Sequence, residues 1–285
     1  MSGRIVCVGT PIGNLGDLSP RAVETLAAAD VVACEDTRRT GRLLRHAGVR
    51  APRLVRMDEH TERSAAAGLV ALAAAGATVA VVSDAGLPAL SDPGAVIVAA
   101  AAAEGVPVEV VPGPFAGAVG FVGSGLAAEG DGRFCFEGFL PRKGAARLRR
   151  LAELRGEQRT VVLYEAPHRL SRTLADLAEV LGGDRRVALC RELTKLHEET
   201  WRGTLHDAVT HTSQREPRGE YVVVLEGAPE PDEPDDEQLR SALHRRIAAG
   251  ASRRDAAAEV AAELGVAPNR VKRLAQGAGG TDEPG

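Results

Sequence analysis

Three stretches of small and polar residues hold the chain's candidate chemistry, and each follows a short strand-like run. They are Pro11-Ile12-Gly13-Asn14-Leu15-Gly16-Asp17, Ser83-Asp84-Ala85-Gly86-Leu87-Pro88-Ala89-Leu90-Ser91 and Pro112-Gly113-Pro114-Phe115. Glycine and proline allow tight turns and close backbone approach. Loops at the carboxyl ends of parallel strands line the ligand crevice of an open α/β sheet. A lining of backbone N–H and C=O groups with few charges suits an adenine and a ribose better than a triphosphate, and no Walker-type phosphate loop is present. A plain strand-to-helix connection takes about 2–6 residues. The second loop is longer and is broken twice by Gly or Pro, which favours a ligand site with Asp84 as its first polar side chain.

Charged residues follow a fourth apolar run at Glu35-Asp36-Thr37-Arg38. Asp36 or Thr37 is a helix N-cap, which by itself accounts for that pair. Beyond it, Arg38, Arg42 and Arg45 recur at helical spacing, with Arg39 beside them. The stripe reads either as a phosphate rail for RNA or as a solvated helix face. A second basic run holds Arg142, Lys143, Arg147, Arg149 and Arg150 without one acid, and favours nucleic-acid contact. Glu192 and Lys195, in Arg191-Glu192-Leu193-Thr194-Lys195, read as a structural ion pair. No histidine has metal-ligand spacing, so no metal site is expected.

The elements that must position these loops are short. Residues 5–8, 31–34 and 79–82 are apolar runs of strand length, and 108–111 reads as one more strand. Helices are expected over 20–28, 38–46 and about 61–75, and over 95–104 with Asp92-Pro93 as its cap and first turn. Alternating strand and helix is the pattern of a parallel wound sheet. Strands at 133–140, 160–164, 186–190 and 221–225, helices at 145–155 and 168–181, and a hairpin near Thr200-Trp201-Arg202-Gly203-Thr204 make a mixed second sheet. The Gly-rich stretch 123–132 follows a helix and opens none, so it reads as linker or turn. The expected organisation is an N-terminal α/β domain over 1–118, a C-terminal α/β domain over 119–228, an acidic Pro-rich linker over 229–237, a helical segment over 238–276 and a disordered tail over 277–285.

Bulk composition agrees. The chain has 285 residues, 44% hydrophobic but only 3% aromatic, so the core must be Ala, Val and Leu. A net charge of −4 excludes a uniformly basic coat. Cys7, Cys34, Cys135 and Cys190 stand far apart in apolar runs and read as reduced, buried thiols. With no signal-like start and no long apolar run, a soluble cytoplasmic protein with no membrane partner is expected.

Seven motifs recur in an order that resembles a known family. They are Thr10-Pro11-Ile12-Gly13-Asn14-Leu15, Glu35-Asp36-Thr37-Arg38, Ser83-Asp84-Ala85-Gly86 with Ser91-Asp92-Pro93-Gly94, Pro112-Gly113-Pro114, Glu137-Gly138-Phe139-Leu140-Pro141, Tyr164-Glu165 with Pro167-His168-Arg169, and Arg191-Glu192-Leu193-Thr194-Lys195. The set, from about residue 4 to 227, resembles the ribosomal RNA small subunit methyltransferase I family of the tetrapyrrole methylase superfamily. The resemblance implies two α/β domains of tetrapyrrole methylase type and S-adenosyl-L-methionine as cofactor. It implies methylation of the ribose 2′-oxygen of a decoding-centre cytidine in 16S rRNA or the small ribosomal subunit, usually by a homodimer. By motif position the cofactor would touch Pro11, Asp84, Leu87, Phe115 and Ala116, with Tyr164 or Ala166 from the second domain. Leu87 stands where the family usually has Thr, and Phe115 where it usually has a small residue. Of the family's histidine-rich loop only His60 remains, with Asp58 and Thr61 at the neighbouring positions.

A ribose hydroxyl is a poor acid, so its methylation calls for a base or a polarising cation, worth ~10²–10⁴-fold. Glu35 and Asp36 are the candidate bases, with Lys195 or Arg38 holding a phosphate or polarising the oxygen. Two other readings stand beside this one. A tetrapyrrole or other small-molecule methylase would share the cleft without needing the arginines, and a non-catalytic ribosome-assembly factor would keep the arginines without the cofactor. The helical segment reads either as an RNA or subunit grip or as an oligomer contact.

Overall fold

The computed structural model describes residues 3–50, 52–127, 131–230 and 233–277. Five short strands, β1 (Arg4–Val8), β2 (Val31–Cys34), β3 (Arg53–Arg56), β4 (Thr78–Val82) and β5 (Val108–Val111), form an all-parallel sheet in the order β3-β2-β4-β1-β5. Val and Ala fill both faces of β1, β2 and β4, as strands covered on two sides require. One face packs on α3 (Glu62–Ala74) and α4 (Ala95–Ala103), the other on α1 (Pro20–Ala28) and α2 (Thr37–His46). The edge strand β3 escapes sequence reading because two arginines flank its only apolar pair, Leu54 and Val55.

The start of α4 differs from expectation. Asp92 does not cap it. Gly94 occupies the cap position at φ 137°, and the carboxylate of Glu62, from α3, accepts the N–H groups of Gly94, Val96 and Ile97 at 2.8, 2.9 and 3.3 Å. A buried anion at a helix N-terminus satisfies orphan donors and complements the helix dipole. Asp92 is thereby released for another role.

The second sheet runs β6 (Phe134–Phe139), β7 (Thr160–Glu165), β10 (Tyr221–Leu225), β8 (Arg186–Arg191), β9 (Glu199–Thr204). β6 and β7 are parallel and the other pairs antiparallel. One face carries α6 (Gly144–Arg155), α7 (Pro167–Leu181) and α8 (Leu205–Gln214). α8 lacks strong helix formers over Thr210, Thr212 and Ser213, which hides it in the sequence. A capping box between Thr204 and Asp207 and the burial of Leu205 and Ala208 hold it.

The opposite face of the second sheet is covered by α5 (Ala116–Ser124), through Phe121, and by Ile12 of the first domain. The boundary read at 118/119 therefore falls inside a helix that packs wholly on the second sheet. The Gly-rich stretch begins as the last turn of α5, which ends at a left-handed Gly125, and its positions 128–130 lie outside the described residues.

Residues 1–228 form one compact unit and 229–285 another. In the second unit α9 (Asp236–Ala248), α10 (Arg253–Glu263) and α11 (Pro268–Gly277) close around Leu239, Leu243, Ala256, Val260 and Val271. α9 begins inside the stretch read as linker, because Asp235 and Gln238 form a capping box. The expected tail lies outside the described residues beyond 277. Among the described residues no helix is long and apolar enough to cross a membrane, and no cluster of His, Cys, Asp and Glu could hold a metal ion.

Candidate active site

The loops after β1, β4 and β5 emerge on one edge of the first sheet, where the strand order reverses. They are tied together by backbone. Thr10 and Gly86 exchange both N–H···O bonds at 2.9 and 3.1 Å, and the buried Thr10 hydroxyl also reaches the carbonyls of Ser83 and Gly86. Gly9 and Gly113 pass so closely that a Cβ on Gly9 would stand 2.6 Å from the Gly113 backbone. Gly13 admits the second domain in the same way. A Cβ there would meet Lys195 at 2.5 Å and Thr194 at 2.7 Å, and the neighbouring Asn14 N–H donates to the Thr194 hydroxyl at 3.0 Å.

These loops and the facing edge of the second sheet enclose a cavity of about 460 Å³. Of the expected cofactor contacts, Leu87, Phe115, Ala116, Tyr164 and Ala166 line it. Phe115 does not choke the space. Its ring stands edge-on to Phe136, which in turn meets Tyr164, with centroids 4.9 Å apart in both pairs. The Tyr164 hydroxyl accepts the Gly117 N–H at 3.2 Å and so bridges β7 to α5. Burial pushes that phenol up to about 12.

Pro11 and Asp84 lie outside the lining. Pro11 is buried beside Thr10. Asp84 is a brace: its carboxylate accepts the Asp36 N–H at 3.2 Å and pairs with Arg39 at 3.1 Å, and its own N–H donates to Glu35 at 3.0 Å. Glu35 is thus the other half of this brace, and burial raises its carboxyl despite the Asp84 N–H bond, with the Asp84 charge adding to the rise. Asp36 caps α2, accepting from the N–H groups of Arg38 and Arg39 at 2.7 and 3.2 Å, and those bonds lower its pKa. A carboxylate held that way is a weaker base, and its two N–H bonds give Asp36 a capping role. Lys195 does line the cavity. Burial works against its charge, but Glu220 at 2.6 Å and Glu192 at 2.9 Å outweigh it and raise its pKa. Two of the three ammonium donors are engaged, leaving one for a ligand.

Sequence reading missed Asp92, Glu165 and His168, all of which line the cavity. Asp92 and Glu165 stood within quoted motifs, but an Asp before Pro reads as a cap and an acid at a strand end reads as surface. The loop around Asp92 also holds two non-glycine residues in the left-handed region, Ala89 at φ 71° and Ser91 at φ 65°. Such conformations cost on the order of 1–2 kcal/mol each and cluster where a site demands them.

Outside the cavity, Arg38, Arg42 and Arg45 are exposed and carry no ion pair among the described residues, while Arg39 leans on Asp84. The stripe continues past α2: from Arg38 to Arg56 there are seven arginines and no acid, and the last two are the end residues of the β3 edge strand. In the second basic run Arg142, Lys143 and Arg149 are exposed and have no ion pair among the described residues, and Arg150 pairs with Glu137 and Glu153. Arg147 is a correction. It is 4% exposed and bonded to Asp176 at 2.7 Å, the Thr173 hydroxyl at 3.0 Å and the Pro141 carbonyl at 3.0 Å, so no nucleic acid reaches it.

Residues 4–209 match the family Tetrapyrrole (Corrin/Porphyrin) Methylases. A Synechocystis protein named ribosomal RNA small subunit methyltransferase I is 44% identical over 263 residues, covering 92% of this chain and 93% of its own. Its Mycobacterium tuberculosis namesake is 47% identical over 262 residues, covering 92% and 90%. Among solved structures, the uroporphyrin-III C-methyltransferase of Thermus thermophilus complexed with S-adenyl homocysteine shares the fold, with a TM-score of 0.56 at 22% identity, covering 79% of this chain and 97% of its own. The family match over residues 4–209 and this level of identity across about nine-tenths of the chain place the protein in the ribosomal RNA small subunit methyltransferase I family of the tetrapyrrole methylases.

Proposed function

We propose that the protein is an S-adenosyl-L-methionine-dependent methyltransferase of 16S rRNA that methylates the ribose 2′-oxygen of a cytidine, acting in the cytoplasm as a homodimer. The observation that carries this reading is the pairing of one inter-domain cleft with exposed arginines along α2, the helix that begins at the same sheet edge. The cleft fits the cofactor chemically. Leu87, Phe115 and Ala116 offer an apolar wall for a nucleoside, the strand-end loops offer backbone donors and acceptors, and carboxylates and aromatic rings suit a sulfonium. Bound there, S-adenosyl-L-methionine supplies an electrophilic methyl group. The protein's residues do the rest: the loops hold the reactants in line, worth up to about 7–11 kcal/mol, Lys195 offers its remaining donor, and Arg38, Arg42 and Arg45 track phosphates.

The test offers labelled cofactor with undermodified small subunits, naked 16S rRNA or a tetrapyrrole precursor, followed by nucleoside mass spectrometry. The expected result is 2′-O-methylcytidine in an RNA arm and nothing in the tetrapyrrole arm. Label in the tetrapyrrole alone would overturn the RNA half of the reading. Light scattering at micromolar protein checks the dimer.

A second expectation concerns Gly9. Gly9→Ala forces the β1 and β5 loops apart at their backbone crossing, and such overpacking costs roughly 1–3 kcal/mol. Calorimetry with S-adenosylhomocysteine should then show affinity reduced about tenfold, since 1.4 kcal/mol is a factor of ten. Unchanged affinity would mean that the crossing does not shape the cofactor site.

A further inference from the structure

We propose that Asp92 is the general base that removes the proton from the ribose hydroxyl, an assignment that rests on the reading above. Three carboxylates line the cavity: Asp92, Glu165 and Glu220. Two are engaged. Glu165 accepts the Ala166 N–H at 2.9 Å and the Thr173 hydroxyl at 2.6 Å and pairs with Arg169 at 3.2 Å. Glu220 pairs with Lys195 at 2.6 Å. Among the described residues Asp92 alone of the three pairs with no cation, and the nearby Ser83 hydroxyl, which also reaches the Ala85 and Gly86 carbonyls, is the group that favours its charge.

Its position in the chain is equally distinctive. Ser91-Asp92-Pro93-Gly94 has the composition of a helix start, yet Glu62 has taken over that task from across the sheet face. Left-handed Ser91 precedes Asp92, so the backbone here is held in a costly conformation that capping does not require. The outcome is an unpaired, half-buried carboxylate on the wall of the cleft.

The surroundings set its basicity. Burial, then the charges of Glu35 and Asp84, push Asp92 up to about 7, with the Ser83 hydroxyl working the other way. The remaining groups around the cavity are Tyr164, Tyr221, Cys190, His168, Glu165 with Arg169, and Lys195 with Glu192 and Glu220. Arg39 is held by Asp84. A base that titrates near working pH combines a populated ionised form with useful proton affinity. Glu35 then acts as a positioning residue: it holds the Asp84 loop and adds its charge beside Asp92.

The step balances. A lone pair on the hydroxyl oxygen forms the new O–C bond, and the C–S bonding pair remains on sulfur, which becomes a neutral thioether. The hydroxyl proton passes to an Asp92 carboxylate oxygen and from there to water.

The experiment compares wild type with Asp92→Asn, which keeps shape and removes basicity. Single-turnover methyl transfer, its pH profile, and calorimetric binding of S-adenosylhomocysteine and S-adenosyl-L-methionine are read on both. The expected loss is ~10²–10⁴-fold in transfer rate, with S-adenosylhomocysteine affinity within about threefold. The wild-type rate should fall tenfold per pH unit below about 7, and the residual rate of the variant should lose that limb. Because the folded protein holds a proton on Asp92 that the unfolded chain releases at lower pH, wild-type stability falls as pH rises from about 4 to about 7. Asp92→Asn should flatten that slope in thermal melts, a readout independent of turnover. A variant with wild-type transfer rate overturns the assignment. So does a variant that weakens S-adenosyl-L-methionine but not S-adenosylhomocysteine at unchanged rate, since Asp92 would then be a sulfonium anchor. If wild type itself methylates no RNA hydroxyl, the functional reading fails and the base falls with it, an outcome visible before any variant is made.

Discussion

Replacing Arg38, Arg42 and Arg45 together by Gln is expected to weaken RNA binding about a hundredfold at ~0.15 M salt and to flatten the slope of log K against log salt by roughly 2–3. Each cation that neutralises a phosphate releases about 0.7–0.9 of a counterion, and three such contacts account for both figures. The three side chains are exposed, carry no ion pair among the described residues, and recur on one face of α2, so nothing in the fold depends on their charge. Melting temperature should therefore hold, since surface substitutions of this kind stay within about 0.5 kcal/mol. S-adenosylhomocysteine binding should hold as well. Fluorescence anisotropy with a 16S fragment across a salt series is the measurement. An unchanged slope would return the stripe to a solvated helix face and leave RNA contact to Arg142, Lys143 and Arg149.

Arg147→Ala is expected to destabilise the protein by about 3 kcal/mol, because breaking a buried charge pair strands its partners. Arg147 sits at the centre of a chain of contacts. Its guanidinium holds Asp176 and the Thr173 hydroxyl, and Thr173 in turn donates to Glu165 at 2.6 Å. Removing it leaves a carboxylate and a hydroxyl under-satisfied beneath α6 and α7. For a chain of this size the melting temperature should fall by roughly 6–12 °C. Glu165 also lines the cleft, so cofactor affinity should drop with stability. The neighbouring Arg149→Gln provides the contrast. That residue is exposed and has no ion pair among the described residues, so its loss should leave melting unchanged and lower only the salt slope of RNA binding. Equal behaviour of the two variants would contradict the burial of Arg147.

The sheet strands were legible because their physics is local. Four or five apolar residues bounded by Gly, Pro and Asp can satisfy a doubly covered strand and little else, and Val31–Cys34 and Thr78–Val82 fall where that pattern puts them. The N-caps at Ser19, Asp36 and Ser252 are local as well. β3 and α8 were not legible, since a two-residue apolar pair and a helix of Thr, Ser and His draw their stability from what they pack against. The basic run around Arg147 misled for a related reason. Composition counts charges, and it does not say which of five cations the helix turns inward.

From the sequence alone came the two-domain α/β class, the ligand loops at the strand ends, the arginine stripe and, through seven ordered motifs, the family. All of these depend on residue type and spacing along the chain. Tertiary structure decided which acid could be a base. Glu35, Asp36, Asp84 and Asp92 look alike in one dimension. In three, Asp36 binds a helix end, Glu35 and Asp84 brace two loops, and Glu62, thirty positions away, relieves Asp92 of its cap. Protonation and partnership are set by charges, donors and burial brought together across the fold, and those distances are not written in the order of the residues.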